Sequence, residues 1–222
     1  MNVLFLGADG TGKSHTLLNV AKVLEEENKR VLVVDLSWNQ GINSYFDFEI
    51  ENEVEKELDV KVRDNIDIYN FKNEINISEL LKLDMKVYDY VLVESDFNLD
   101  ERVLSFADKI LLLQNFDKDK LIKNVSLVNR LGEHTSKLSI ILNQALDNRI
   151  DTSYFLDDLI QAAPNRATFI NSKQFEIPLD ERDIKVALEN KVDGRLNLKN
   201  YSKDFKLAIK EIALNIKEES EK

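Results

Sequence analysis

The sequence VLFLGADGTGKS, residues 3–14, is an apolar run that passes directly into a glycine-rich turn. The turn has the spacing Gly-x-x-x-x-Gly-Lys-Ser, and apolar residues recur at helical intervals after it. This order of strand, loop and helix is what a phosphate-binding loop requires. Glycines let consecutive backbone N–H groups point inward at phosphates, and the helix N-terminus adds a partial positive charge. The stretch therefore predicts a nucleotide site.

Two side chains of this loop have specific predicted roles. Lys13 is expected to reach the β- and γ-phosphates of the nucleotide and to act in catalysis, and Ser14 is expected to hold a magnesium ion. The remaining residues predicted to surround the nucleotide here are Gly7, Gly10, Thr11, Gly12 and His15. His15 is also compatible with a plain first-turn position of the helix.

The composition restricts the class of protein. The 222 residues are 43% hydrophobic and 32% charged, which is typical of a soluble globular domain, and residues 1–222 are expected to form one. With no cysteine and two histidines, thiolate metal sites are excluded and a zinc site is not indicated. No apolar run approaches the ~20 residues of a membrane span and no signal peptide is evident, so we expect a cytoplasmic protein without stable membrane insertion.

Strand and helix patterns alternate along the chain. After the first strand, apolar runs predict strands at 31–35, 66–69, 90–94, 110–113 and 138–142, with further candidates at 167–170 and 175–177. Helical spacing is found at 14–27, 77–83, 118–131, 152–162, 180–189 and 202–218, and a surface helix is expected within the charge-dense residues 48–65. This alternation predicts an α/β fold, a doubly wound and mostly parallel sheet flanked by helices.

Six landmarks in this order resemble the ParA/MinD group of P-loop ATPases. They are the loop at 7–14, the strand and turn at 31–40, the strand at 88–95, the strand at 107–113, the segment 140–143 and the segment 177–180. The resemblance implies that Asn143 reads an adenine and that Pro178 lines the base pocket. It also implies that Asp35 and Glu94 serve catalysis and, with Ser14, hold magnesium.

The chain departs from the group at three positions. Ala8 stands where the group has a lysine that reaches the nucleotide of the partner subunit. Ser37 stands where an aspartate orients the attacking water, and a serine is a poor substitute for that carboxylate. Glu94 replaces an aspartate, and Asp96 is a nearby alternative. An alternative interpretation is that Asp35 or Asp96 has taken over catalysis.

We therefore expect an ATP- or ADP-binding protein, with Mg²⁺, whose hydrolysis is weak or absent. The resemblance implies a spatial organiser or assembly factor, for example for a pilus or secretion apparatus (TadZ/CpaE-like), with protein partners. The alternatives are an active ParA/MinD-type ATPase in partition or division-site placement, and an ATP-dependent ligase or kinase. A homodimer would be weakly controlled by nucleotide because of Ala8.

DNA is the second partner that the sequence leaves open. The net charge of −11 opposes non-specific nucleic-acid binding. Between residues 189 and 210, however, six basic residues face three acidic ones, a local net charge of +3 (six minus three). Trp38, the single tryptophan, is compatible with a partner contact, with covering the nucleotide, or with packing under its loop.

Overall fold

The computed structural model describes residues 1–46, 59–70, 85–96, 100–145, 153–164 and 173–220. These residues form one eight-stranded sheet. Its strands are β1 (Asn2–Leu6), β2 (Val31–Asp35), β3 (Asp59–Arg63), β4 (Ile66–Asn70), β5 (Tyr90–Glu94), β6 (Lys109–Gln114), β7 (Leu138–Ala145) and β8 (Gln174–Pro178). The spatial order is β3-β4-β2-β5-β1-β6-β7-β8. Only the β3–β4 pairing is antiparallel among the strands described.

Helices cover both faces of the sheet, which confirms the predicted doubly wound fold. They are α1 (Lys13–Glu26), α2 (Gly41–Tyr45), α3 (Glu101–Phe106), α4 (Lys118–Arg130), α5 (Ser153–Ala162), α6 (Glu181–Val192) and α7 (Lys203–Ser220). Alternate residues of β1 divide between two cores. Val3 and Phe5 pack with α1, α2, α6 and α7, whereas Leu4 and Leu6 pack with α3, α4 and α5. Strands buried on both faces read as continuous apolar runs, and the sequence shows such runs for the central strands.

The surface helix expected within residues 48–65 is not tested, because residues 47–58 lie outside the described part of the chain, but the end of this segment is a strand. Asp59–Arg63 is a strand that pairs antiparallel with β4. Asp64 and Asn65 form the turn between the two strands, with φ of 49° and 63°. Two residues with positive φ are what a tight hairpin turn needs, and Asp and Asn tolerate that conformation best after glycine. The high charge of this region concealed the hairpin.

Some other predicted elements cannot be compared with the structure. Residues 47–58, the predicted helix at 77–83 and the strand candidate at 167–170 lie outside the described residues.

Two short helices, α2 and α3, were not predicted. Asp100 caps α3 by accepting a hydrogen bond from the backbone N–H of Arg102. None of the described helices combines the length and apolar character needed to cross a bilayer.

The topology fixes where a ligand can bind. From β1 the chain passes through α1 to β2 on one side, whereas β6 lies on the other side of β1. The loop after β1 therefore sits where the strand order reverses, outside the carboxyl ends of the strands. In open α/β sheets, this crevice is the usual ligand site.

Candidate nucleotide-binding site

The glycine-rich loop between β1 and α1 adopts a conformation that depends on its glycines. Gly7, Gly10 and Gly12 have φ of 147°, 74° and 93°, a region that other residues rarely adopt. A Cβ atom on Gly7 would lie 2.6 Å from the carbonyl oxygen of Leu113. The close approach of this loop to the end of β6 therefore requires glycine.

Three side chains from the β6–α4 segment hold the backbone of the loop. The Ala8 N–H donates to Asn124 Oδ1 at 2.8 Å, Lys120 Nζ donates to the Asp9 carbonyl at 2.5 Å, and Asn115 Nδ2 donates to the Gly10 carbonyl at 3.2 Å. Asn124 is fully buried and also donates to the Leu113 carbonyl at 2.8 Å. Sequence reasoning missed these residues, since isolated Asn and Lys on a helix give no signal of what they contact.

Lys13 is folded back onto the loop. Its side chain is 4% exposed, and Nζ donates to the carbonyls of Gly7 at 2.9 Å and Ala8 at 3.3 Å. Its ammonium group also lies 3.8 Å from the Asp9 carboxylate and 4.0 Å from that of Glu94. These contacts hold the Lys13 ammonium group inside the loop. A bound polyphosphate would replace them with contacts from its own phosphate oxygens.

Ser14 and Glu94 form an oxygen pair suited to a magnesium ion. Ser14 Oγ donates to Glu94 Oε1 at 3.0 Å, and Glu94 is buried at 3% exposure. Glu94 Oε2 is buried and has no hydrogen-bond partner among the described residues. Burial, followed by the nearby charge of Asp35, raises the pKa of Glu94 to about 8. Magnesium prefers hard oxygen ligands, so an orphaned carboxylate oxygen beside a serine hydroxyl fits it.

Asp35 is occupied by its own loop. Its Oδ1 accepts hydrogen bonds from the Ser37 N–H at 2.8 Å and the Ser37 hydroxyl at 2.5 Å, and its Oδ2 accepts one from the Ile42 N–H at 3.0 Å. Burial raises the pKa of Asp35, although these hydrogen bonds and Lys13 oppose the shift. The carboxylate thus fixes the turn after β2 and the start of α2, and both of its oxygens already accept hydrogen bonds from this loop.

Asp96, just after β5, holds the backbone of Trp38 in the loop after β2. The Trp38 N–H donates to Asp96 Oδ2 at 2.7 Å, and Asp96 is 8% exposed. The Trp38 side chain is 79% exposed, so it does not pack under the loop. The sequence identified both residues as candidates but could not show that one holds the backbone of the other.

A cavity of about 460 Å³ joins the phosphate-binding loop to the ends of β7 and β8. Asn143 and Pro178, the two predicted base-pocket residues, both line it. Asn143 Nδ2 donates to the Thr11 carbonyl at 2.8 Å, so this amide also contacts the loop. A Cβ atom on Gly12 would collide with the same nitrogen. Asn143 and Pro178 therefore line the same cavity as Lys13 and Ser14, whereas Gly7, Thr11 and Asp35 are not among its lining residues.

His15 lines the cavity but interacts mainly with the C-terminal segment. Its Nε2 lies 2.8 Å from the Tyr201 hydroxyl, and its ring is 5.4 Å from the ring of Phe205. Burial lowers the pKa of His15 to about 4, partly opposed by Asp183. The imidazole is therefore neutral at physiological pH. It connects α1 to the segment before α7, a contact that no local pattern around His15 indicates.

The sheet order, the glycine-rich loop after β1 and the cavity at the carboxyl edge define the P-loop NTPase fold, in the form found in MinD and ParA ATPases. A chain of the MinC:MinD cell division protein complex from Aquifex aeolicus superimposes with a TM-score of 0.68 at 17% identity, over 98% of this chain and 96% of that one. MinD from Pyrococcus horikoshii, solved with Mg-ADP, gives 0.60 at 19% identity over 97% and 96%.

A third similar structure extends the likeness to the ParA side of the group. A ParA family ATPase from Chlorobium tepidum gives a TM-score of 0.63 at 19% identity, over 95% of this chain and 98% of that one. No protein-family model matches the chain, and no curated protein matches it in sequence. At identities this low, the likeness shows the fold.

Proposed function

We propose that this chain is a divergent member of the MinD/ParA group that binds ATP or ADP with Mg²⁺ and hydrolyses ATP slowly or not at all. Nucleotide binding is supported by the glycine-rich loop, by the buried Lys13 ammonium and by the Ser14–Glu94 oxygen pair. The cavity continues past Asn143 to Pro178, which leaves room for a base beside the phosphates.

Slow hydrolysis rests on one observation, the hydrogen bond from the Ser37 hydroxyl to Asp35 Oδ1. The residue expected to orient the attacking water carries no carboxylate, and its hydroxyl is directed at Asp35. Asp35 in turn accepts hydrogen bonds from its own loop at both oxygens. Phosphoryl transfer depends on positioned groups, so the loss of a water-positioning residue is costly in rate.

We further propose that the bound nucleotide serves assembly rather than metabolism. Among the described residues, no group of three or more His, Asp or Glu residues could hold a metal ion. The similar A. aeolicus structure is a MinC:MinD complex, which favours a protein partner. A spatial organiser or assembly factor of a pilus or secretion apparatus is the role we propose.

An active partition or division-site ATPase is the second candidate. The basic residues around α7 favour it, because Lys203 and Lys210 are exposed on the same side of the helix. This candidate requires turnover, and we expect DNA or a lipid surface to stimulate it. It would need Asp35 or Asp96 to leave the backbone contacts described above.

Calorimetric titration with Mg-ATP tests the proposed binding. We expect saturable binding by the wild type and none by Lys13→Ala, because the ammonium would contact the phosphates directly. Lys22→Ala is the matched control, since Lys22 lies on the same helix and pairs with Glu25, away from the loop. Equal affinity in the wild type and Lys13→Ala would contradict the proposal.

A further inference from the structure

The end of β7 contains an irregularity that faces the proposed nucleotide. β7 and β8 pair in regular register as far as Asn143 and Ile177, and the next pair is Ala145 with Pro178. Gln144 is therefore an extra residue on β7, with φ of 61°. Such β-bulges re-aim side chains near functional sites, and a non-glycine residue held at positive φ often marks one.

Asn143, which the resemblance implied as the base reader, already has two partners in the protein. Its Nδ2 donates to the Thr11 carbonyl at 2.8 Å, and its Oδ1 accepts from the Gln144 N–H at 3.0 Å. The side chain is 7% exposed and packs directly over Gly12. These contacts give Asn143 a positioning role, because it ties the phosphate-binding loop to the end of β7.

Gln144 has the opposite surroundings. Its side chain is exposed and lines the cavity together with Pro178 and Leu179. The backbone of the bulge is held by the hydrogen bond from the Leu179 N–H to the Ala145 carbonyl at 3.0 Å. An exposed amide on a hydrogen-bonded backbone thus lines the cavity together with Pro178, the residue proposed to lie against the base.

We infer that Gln144, rather than Asn143, reads the edge of the purine base; this rests on the proposed nucleotide binding. A glutamine amide presents one acceptor and one donor side by side. Adenine offers the matching pair, an N6 donor beside a ring-nitrogen acceptor, and glutamine and asparagine commonly bind it in this way. The apolar wall of Pro178 and Leu179 would support the face of the same base.

The inference makes a chemical prediction about Gln144→Glu. A carboxylate has only acceptors, so it opposes the ring nitrogen of adenine. The Watson–Crick edge of guanine instead presents two adjacent donors, N1–H and N2–H₂. We therefore expect Gln144→Glu to bind Mg-ATP about tenfold more weakly than the wild type and to shift its preference toward Mg-GTP.

The experiment titrates five forms of the full chain with Mg-ATP, Mg-GTP and magnesium tripolyphosphate. These are the wild type, Gln144→Glu, Gln144→Gly, Asn143→Ala and the control Gln174→Glu. Glycine suits the positive φ at Gln144, so Gln144→Gly removes the amide without straining the bulge. Gln174 is exposed at the opposite end of β8, away from the residues that line the cavity, and makes the same chemical change there.

We expect Gln144→Gly to lose most of the preference for ATP over GTP and to keep its affinity for tripolyphosphate. Asn143→Ala should weaken all three ligands by similar factors, because it loosens the phosphate-binding loop. A wild-type preference that survives in both Gln144 variants, or that is lost in Asn143→Ala alone, overturns the inference. Absence of any binding by the wild type, tripolyphosphate included, overturns the proposed function as well.

Discussion

The Ser37 hydroxyl donates a hydrogen bond of 2.5 Å to Oδ1 of Asp35, and both side chains are almost fully buried. The backbone N–H of Ser37 donates to the same oxygen at 2.8 Å. Asp35 and Ser37 thus form a closed unit that stabilises the turn after β2. A serine can donate into this unit, whereas an aspartate at position 37 would bring a second negative charge to the same place.

The first prediction concerns turnover. Phosphate release by the wild type with Mg-ATP should stay well below about 1 s⁻¹, the low end of ordinary enzyme rates. Ser37→Asp should not restore it, because its carboxylate would face that of Asp35 at hydrogen-bond distance and repel it. Ser37→Ala, which introduces no charge, is the control. Turnover of about 1 s⁻¹ or more in the wild type would support the alternative of an active ATPase.

The second prediction concerns the pH dependence of stability. The pKa of Glu94 is raised from 4.5 to about 8, so between these values the folded chain holds a proton that the unfolded chain has released. This group therefore lowers the free energy of unfolding as pH rises from about 5 to 8. Glu94→Gln removes the effect, and its melting temperature should exceed that of the wild type by an amount that grows toward pH 8.

The size of this effect follows from the shift of pKa. We expect a difference on the order of 3 kcal/mol at pH 8, or a gain of roughly 6 °C or more in melting temperature. Thermal melts at pH 5 and pH 8 measure it in the absence of nucleotide and magnesium. Glu176→Gln is the control, since Glu176 is exposed on β8. Parallel pH profiles for wild type and Glu94→Gln would contradict a raised pKa.

The third prediction concerns the support of the phosphate-binding loop by Asn124. Asn124→Ala removes hydrogen bonds to the Ala8 N–H and the Leu113 carbonyl in a fully buried place. Each buried group left without a partner costs about 1–3 kcal/mol, so we expect a loss of about 3 kcal/mol and weaker Mg-ATP binding. Lys123→Ala, exposed on the same helix, serves as control. Unchanged denaturant midpoints would argue against this role.

The fourth prediction concerns self-association. Ala8 is 3% exposed, and the resemblance implies that it replaces a lysine that reaches the partner's nucleotide. Mg-ATP should therefore change the molar mass measured by light scattering little, whatever the oligomeric state without nucleotide. Ala8→Lys tests the same position, and circular dichroism checks that this variant stays folded. A complete shift from monomer to dimer on adding Mg-ATP to the wild type speaks for a conventional nucleotide-controlled dimer.

The fifth prediction concerns DNA. Lys203, Lys206 and Lys210 project from α7, and Lys206 Nζ already donates to the Lys199 carbonyl at 3.3 Å. With a net charge of −11 on the chain, we expect no tight binding of duplex DNA at physiological salt. Fluorescence anisotropy at low and physiological salt measures it. Tight binding with a salt slope near −0.9 per phosphate contact, lost on changing the three lysines to glutamate, would favour DNA as partner.

The sequence alone was sufficient to predict the architecture. Continuous apolar strands, helical periodicity between them and a glycine-rich loop after the first strand are local patterns with strong physical causes. Strands buried on both faces must be apolar throughout, and a loop that curls around phosphates must contain glycine at special φ values. The hairpin with its turn at Asp64 and Asn65 was not predicted, because the charged residues around the turn obscure the strand pattern of β3.

Only the tertiary structure decided what each polar side chain of the site contacts. Asp35 and Asn143 were identified from sequence, but their partners in the protein were not. The Asp35 carboxylate accepts hydrogen bonds from Ser37 and Ile42, and the Asn143 amide donates one to the Thr11 carbonyl. Gln144 reaches the cavity because β7 and β8 slip by one residue there. Hydrogen bonds between residues far apart in sequence depend on sub-ångström placement by the whole fold, and no local pattern encodes that placement.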